Sequence, residues 1–411
     1  MDKSFEDIHR ENRLFGHIVK KELPNKEAFL SDLYNISDSF VGQIDTMFLN
    51  AFIQECEALI INAIALFEKG YFDCACYSLR QALEVSDCMV YFSELNDSER
   101  QKEFSKWKMS EKLEAYKVGN FLNNLAENYK DVKVSFSVYF NKKKRTKARL
   151  NTIVHKQGLD VFYSFRRNFT DAQMNNEVAM FTSFLKTVIT YVAILRLAVD
   201  PFPILLRDEE IYFRLPGLMT EPYSFEFVNK YIGEKYIDEY KKTDLYSGYY
   251  NGIVNGYEKK NPAIANLIAH RHIDIDSIDE LEEQAHLLGL NDLLALLVAV
   301  LSPKISNIYT NEGFTCYHTN TISVRGLNYS TFTIKSYKTD SNNFNQKYDN
   351  AFMSFLGPTS VDFLIFGIED FSVFIEHNLP FEKDEIDLIE AKYSEIIESF
   401  QQKIEKMVDT L

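Results

Sequence analysis

The sequence is poor in cysteine, and its few cysteines form no recognised motif. The five cysteines are Cys56, Cys74, Cys76, Cys88 and Cys316. No two of them have the spacing of a Cys-x-x-Cys motif. An odd number of cysteines, most of them inside apolar helical patterns, predicts reduced and buried thiols rather than a disulfide framework. We therefore expect a cytoplasmic protein.

The sequence also lacks the motifs of several enzyme classes. It has no Gly-rich phosphate loop, which argues against an NTPase, and it has no His-Glu-x-x-His motif. A stretch rich in His and Asp, residues 269–280, has no second cluster of ligands to complete a metal site. Cys316 and His318 share a face of a predicted strand, but no oxyanion-type loop flanks them. We expect neither a metal nor a cofactor.

The sequence also lacks long uninterrupted apolar runs, and its acidic residues outnumber its basic ones. The most apolar stretch, 180–199, is interrupted by Lys186 and Arg196, which leaves too few residues between the charges to span a bilayer. The first residues are too polar for a signal peptide. A net charge of −15 argues against a broad nucleic-acid-binding or anionic-membrane-binding surface, although a local basic patch is compatible with it. We expect no membrane partner.

What the sequence does contain is a strong helical pattern in its first half. Apolar residues recur at three- and four-residue steps over 51–70 and 71–95, and Gly70 between them predicts antiparallel neighbouring helices. A long helix over 172–199 completes the predicted bundle. An alternating segment favours a strand locally, with apolar residues at Val132, Val134, Phe136, Val138 and Phe140.

The second half changes character after two prolines in the segment 200–210. From about residue 305 the apolar period becomes two, which predicts short antiparallel strands, and the chain ends in an amphipathic helix. The predicted fold is mainly α: an antiparallel helical bundle followed by an α+β second half. We divide it into an N-terminal extension (1–37), the bundle (38–200), a mostly helical linking region (201–302) and an α+β domain (303–411).

The most informative short stretch is 149–156, RLNTIVHK, which follows the basic run 142–149, KKKRTKAR. A histidine can take or give a proton near neutral pH, and an arginine can hold a phosphate that is under attack. Arg149 and His155 are therefore candidate catalytic partners, although apolar neighbours make a core histidine the competing interpretation. The basic run, placed at a helix start, is either an RNA phosphate site or a solvated surface. Its candidate RNA-binding residues are Lys142, Lys143, Lys144, Arg145 and Lys147, together with Asn151.

The Arg-x5-His spacing late in a helical bundle resembles the signature of HEPN domains. The stretch ACYSLRQALEV, with Arg80 and Glu84 one turn apart, is similar to the early helix of that family. The resemblance covers roughly residues 40 to 200. The family's signature allows four to six residues between Arg and His, and a second pair with six, Arg10 and His17, lies before the bundle. Arg80 and Glu84 alone also fit an ordinary surface salt bridge.

The resemblance implies a metal-independent endoribonuclease that acts as a homodimer. Arg149 would stabilise the phosphoryl transition state and His155 would act as acid or base, while Arg80 and Glu84 would support the active-site helix. The RNA 2′-hydroxyl would attack, as in toxin and antiphage RNases, and the second half would respond to an unidentified activating ligand or protein. The alternative is a non-catalytic HEPN-like dimerisation, scaffold or sensor protein.

Overall fold

The structure is a computed structural model of the 411-residue chain, and it contains two compact units. The first comprises Met1–Tyr212 with Leu218–Gly256, and the second comprises Phe213–Gly217 with Tyr257–Leu411. The residues that the structure describes are 4, 6–8, 11, 21–42, 44–109, 113–166, 170–310, 337–339, 351–356, 373–377 and 379–408.

The first unit is helical throughout its described residues. Its helices are α1 (Lys26–Ser37), α2 (Asn50–Glu68), α3 (Phe72–Glu94), α4 (Asp97–Lys108), α5 (Ala115–Asn124), α6 (Glu127–Ser135), α7 (Ser137–Val154), α8 (Tyr163–Arg166), α9 (Asp171–Val199), α10 (Phe202–Leu205), α11 (Glu209–Tyr212), α12 (Phe225–Tyr231), α13 (Glu234–Tyr240) and α14 (Asp244–Gly256). Short 3-10 segments lie at Ile44–Leu49 and Leu159–Val161.

The predicted antiparallel pair of helices is confirmed as α2 and α3. Gly70 lies between them with φ +90°, a left-handed backbone that glycine adopts without a Cβ clash. The stacked rings of Phe67 and Phe181, 3.9 Å apart, join this pair to the long helix α9. The side chains of α9 are almost all buried from Phe181 to Ala198, so α9 forms the centre of the core. A capping box between Thr170 and Gln173 starts that helix.

The predicted strand at 132–140 is wrong, because the segment forms the end of α6 and the start of α7. The alternation conceals a helical pattern. Val132, Phe136 and Phe140 are buried at four-residue spacing, while Val134 and Val138 are exposed. The buried residues therefore lie on one helical face, and the intervening valines, which are not packed, gave the false period of two.

The predicted division at residue 200 does not coincide with the compact units, and neither does the predicted N-terminal extension. Leu33 and Ile36 of α1 are fully buried in the first unit. Beyond residue 200, the buried Tyr223 hydroxyl donates to the Ala193 carbonyl (3.1 Å), and the Tyr240 hydroxyl donates to the Leu197 carbonyl (2.7 Å). Because α9 uses these later residues to complete its surroundings, the first unit continues to Gly256.

The second unit combines helices with an antiparallel sheet, as predicted in outline. Its helices are α15 (Pro262–His270), α16 (Ile278–Glu283), α17 (Leu290–Ala299) and α18 (Lys383–Val408), with 3-10 segments at Ile275–Ser277 and Ala285–Leu287. Its strands are β1 (His272–Asp274), β2 (Ile305–Thr310), β3 (Tyr337–Thr339), β4 (Ala351–Leu356) and β5 (Val373–His377).

The strand order in the sheet is β1-β2-β5-β4-β3, and each neighbouring pair is antiparallel. Ile375 of β5 lies opposite Ile308 of β2 on one side and opposite Ser354 of β4 on the other. The helices of the unit supply further core residues, among them Ile264 of α15, Leu281 of α16, Leu294 of α17 and Ile389 of α18. The strand predictions within 311–336, 340–350 and 357–372 lie outside the described residues.

Candidate functional site

The stretch 149–156 forms the C-terminal end of α7 and the turn that follows it. The helix ends at Val154, and Lys156 adopts a left-handed backbone with φ +53°. The Lys156 amide donates to the Ile153 carbonyl (3.2 Å), and the Gln157 amide donates to the Thr152 carbonyl (2.9 Å). This is the Schellman pattern of helix termination. Lys156 therefore takes the left-handed position that glycine most often occupies at a helix C-terminus.

His155 is exposed at this turn, so the interpretation of His155 as a core residue is wrong. The apolar neighbours that suggested it point away from it. Leu150 and Ile153 are buried, with exposures of 0% and 1%, and they anchor the inner face of α7 in the bundle. Because burial follows three- and four-residue steps, Arg149 and His155 both remain at the solvent-exposed surface.

Arg149 forms an ion pair with Asp160, from the 3-10 segment beyond the turn. The Arg149 Nη2 and Asp160 Oδ2 atoms are 3.5 Å apart, and the two side chains are 45% and 68% exposed. A contact this long between solvated groups contributes about 0–1 kcal/mol. The guanidinium can therefore exchange Asp160 for a phosphate at little cost. Asp160 was not a predicted site residue, since only the fold brings it back to Arg149.

Lys156 holds the turn against the start of α3. Its Nζ lies 2.6 Å from Asp73 Oδ2 and 4.6 Å from the centre of the Tyr163 ring. The Tyr163 hydroxyl in turn accepts from the Asp73 amide at 3.4 Å. Three chain segments thus converge beside His155. None of these three side chains was predicted, because Asp73 and Lys156 are 83 residues apart.

The basic run lies inside α7, five residues beyond its first residue, and not at a helix start as predicted. The run therefore lies away from the helix N-terminus, where the helix dipole would disfavour a cluster of cations. Because successive residues of a helix point in different directions, the run divides into two groups. Lys142, Lys144 and Arg145 are exposed, and we call these three residues the basic ridge. Lys143 and Lys147 are partly buried.

The two partly buried lysines form salt bridges with α3. Lys143 Nζ lies 3.0 Å from Asp87 Oδ2 and 3.0 Å from the Tyr191 hydroxyl, and that hydroxyl donates to Asp87 Oδ1 at 2.7 Å. Lys147 Nζ lies 3.3 Å from Glu84 Oε1. These two lysines therefore join α7 to α3 and, through Tyr191, to α9. Asp87 and Tyr191 were not predicted, since apolar spacing carries no information about buried ionic partners.

The Arg80–Glu84 pair forms within α3, with Nη2 and Oε1 3.2 Å apart, and both side chains are partly exposed. Glu84 also accepts Lys147, so this pair is linked to the candidate RNA-binding helix. Helices α3 and α7 are antiparallel. Asp73, Glu84 and Asp87 follow one another along α3, and their partners are Lys156, Lys147 and Lys143, in descending order along the chain. The same register places Arg80 at the level of Asn151.

Asn151 is partly buried on α7, and its Oδ1 atom has no hydrogen-bond partner among the described residues. The Arg80 Nε atom is buried in the same way and also has no partner within that part of the chain. Arg80 and Glu84 of α3 thus lie at the same helix–helix contact as Lys147 and Asn151 of α7. Arg149 and His155 are exposed.

The other candidates separate from this site. His272 Nε2 lies 2.9 Å from Asn307 Oδ1, and the His272 ring stacks on Tyr309. Across the described ranges, no group of three or more His, Cys, Asp and Glu side chains could hold a metal ion. Cys316, His318, Arg10 and His17 lie outside the described residues.

Among the described residues of the first unit, two helical segments have the length and apolar composition of a membrane span. They are Asp45–Glu68 and Asp171–Val199. The second of these is α9, which is mostly buried in the bundle core. A core helix of a folded domain can be as long and as apolar as a membrane span. The expected absence of a membrane partner therefore stays a prediction.

No protein-family model, curated protein or solved structure matches this chain.

Proposed function

We propose that the first unit is a HEPN-like, metal-independent endoribonuclease module. The observation that carries this proposal is the exposure of both Arg149 and His155 at one end of α7, with buried Leu150 fixing the helix between them. A residue that serves only the core does not need this position. The basic ridge on the same helix supplies positive charge to an otherwise acidic protein, as a phosphate backbone requires.

The proposed reaction is a phosphoryl transfer within the RNA strand. The 2′-oxygen bonds to the adjacent phosphorus as the bond from phosphorus to the 5′-oxygen breaks, which leaves a 2′,3′-cyclic phosphate and a 5′-hydroxyl. His155 moves a proton to or from the reacting oxygens, and Arg149 stabilises the charge that develops on the phosphoryl group. In a homodimer, two His155 imidazoles divide the roles of base and acid.

The support for these roles is chemical and geometric. The turn that carries His155 is held by the Schellman bonds and by the Lys156–Asp73 contact, so its position is fixed relative to α3. The contact between Arg149 and Asp160 is solvated and long, so a substrate phosphate can replace it. Arg80 and Glu84 support α7 from α3, as positioning residues.

A second candidate function has one specific observation in its favour. Two of the five predicted RNA-binding cations, Lys143 and Lys147, are engaged in salt bridges inside the bundle. This use of the basic run suits a non-catalytic dimerisation, scaffold or sensor module.

As an RNase, the protein would act in the cytoplasm as a growth-arrest or antiphage effector, with the second unit responding to a trigger.

The test is RNA cleavage by the full-length chain with EDTA present, on mixed cellular RNA and on tRNA. We expect the wild type to cleave and both His155→Ala and Arg149→Ala to be inactive while keeping the wild-type melting temperature. His286→Ala is the matched control, because His286 is also an exposed histidine but lies in the second unit. Cleavage that survives His155→Ala would contradict the role proposed for His155, and a folded wild type that leaves every RNA intact would favour the scaffold function.

A further inference from the structure

A cavity of about 710 Å³ opens into the first unit, and neither Arg149 nor His155 lines it. Residues of α2, α3, α4, α5, α6 and α7 do. Its volume falls within the range of about 300–1,000 Å³ that is usual for small-molecule sites. Such sites are mostly apolar with a few placed polar groups. The chemistry of the lining therefore indicates what it can bind.

The charged groups of the cavity are already paired with one another. Lys143 forms a salt bridge with Asp87 at 3.0 Å, and Lys147 forms one with Glu84 at 3.3 Å. Two cations thus balance two carboxylates. An anionic ligand would have to draw Lys143 from Asp87, which would keep only the Tyr191 hydroxyl, or Lys147 from Glu84, which would keep only Arg80, and either loss is unfavourable. The cavity therefore favours a ligand without net charge.

The thiol of Cys88, which lines the cavity, carries no charge. Burial raises the pKa of Cys88 to about 12, and the nearby Asp87 and Glu84 carboxylates add to that shift. Cys88 is therefore protonated at neutral pH. It contributes a small apolar surface, and not a nucleophile, to the cavity.

The remaining lining offers aromatic surface and one free amide. Phe52 and Trp107 line the cavity, with their ring centres 5.3 Å apart and an angle of 28° between their planes. Gln81 also lines the cavity, and its side chain has no hydrogen-bond partner within the described part of the chain. A primary amide presents a donor and an acceptor side by side, which matches a heterocycle edge with the complementary pair.

We propose that this cavity binds an uncharged planar heterocycle of the nucleobase type, with Gln81 bonded to its donor–acceptor edge and Phe52 and Trp107 as its apolar wall. The proposal stands apart from RNA cleavage, because Arg149 and His155 do not line the cavity. It concerns a small molecule, such as a nucleoside, and not a nucleic-acid strand.

The chain itself provides the reporter for the test, because Trp107 is its single tryptophan. We would titrate the full-length protein with adenosine, guanosine, cytidine and uridine in turn, and follow tryptophan fluorescence together with isothermal titration calorimetry. At least one nucleoside should change the fluorescence saturably, with a heat of binding that gives the same Kd. The absence of saturable binding by both methods for all four would overturn the proposal.

Matched variants test the roles of the amide and of charge. Gln81→Leu should weaken binding roughly tenfold, since it removes two hydrogen bonds. Gln54→Leu should leave the Kd unchanged, because Gln54 is exposed on α2 and does not line the cavity. Circular dichroism melting checks that both variants are folded. Equal affinity in Gln81→Leu contradicts the assigned amide, and a nucleoside 5′-monophosphate that binds at least tenfold more tightly contradicts the uncharged ligand.

Discussion

Lys143 and Lys144 are adjacent in the basic run, yet the structure gives them different roles. Lys143 is 14% exposed and Asp87 15% exposed, and the Lys143 ammonium is bonded to both Asp87 oxygens and to the Tyr191 hydroxyl. Lys143→Met keeps the apolar stem and removes the charge. Asp87 would then retain Tyr191 as a donor but lose its cation inside the bundle.

The expected cost follows from that loss. Breaking a fully buried ion pair from one side costs about 3–5 kcal/mol, and the residual exposure of both groups reduces this to about 2–4 kcal/mol. For a unit of this size, such a loss lowers the melting temperature by roughly 5–15 °C. Circular dichroism melting of wild type and variant measures the change directly.

Lys144→Met is the matched control, because Lys144 is exposed on the same helix. Its effect on stability should lie within about 0.5 kcal/mol of zero, while its affinity for RNA should fall. The reasoning is refuted if Lys143→Met melts with the wild type, or if both variants lose the same stability. In either case the Lys143–Asp87–Tyr191 contacts would not stabilise the bundle as described.

Three further predictions concern individual side chains in the two units. Arg196→Met should lower the unfolding free energy by about 3–5 kcal/mol in chemical denaturation, because Arg196 is fully buried and bonded to Asp200 and to two backbone carbonyls. Cys74→Ser should remove one accessible thiol from titration with a chromogenic disulfide reagent, because Cys74 is exposed, whereas Cys56→Ser should remove none, because Cys56 is buried and its pKa is strongly raised by that burial. Burial lowers the pKa of His377, so the unfolded state binds the proton more readily, and the second unit should lose stability as the pH falls below about 6.5. Denaturation at several pH values should show this slope, and His377→Gln should flatten it.

Much of the helical architecture could be predicted from the sequence, because burial of one helical face leaves a direct pattern of apolar residues. The helix pair around Gly70 and the long helix α9 were predicted in this way and are confirmed. The segment 132–140 shows how the pattern misleads. Exposed Val134 and Val138 alternate with buried residues, and only the packing shows that these two valines do not belong to the core.

The prolines near residue 200 were interpreted as a domain boundary, but they end α9 without ending the unit. What continues the unit is a set of hydrogen bonds from Tyr223 and Tyr240 to the carbonyls of α9. Such bonds join residues 30 and 43 positions apart. Prolines in a local stretch of sequence give no information about contacts between residues so far apart.

For the candidate site, the sequence predicted residue types but not their partners. Arg149 and His155 follow from a short spacing on one helix, whereas Asp160, Asp73 and Tyr163 reach the same turn only through the fold. The basic run was predicted as one patch, either an RNA phosphate site or a solvated surface. Helical geometry instead divides it into the exposed basic ridge and two lysines that bind carboxylates of α3.

The proposed RNA cleavage is tested most directly by the chemistry of the product ends. The full-length chain would be incubated with a defined single-stranded RNA in EDTA, and the fragments would be analysed by mass spectrometry. We predict 2′,3′-cyclic phosphate and 5′-hydroxyl ends, and no cleavage at a linkage whose attacking ribose is replaced by 2′-deoxyribose. Fragments with 3′-hydroxyl and 5′-phosphate ends, or cleavage that continues at the deoxy position, would contradict the roles proposed for Arg149 and His155.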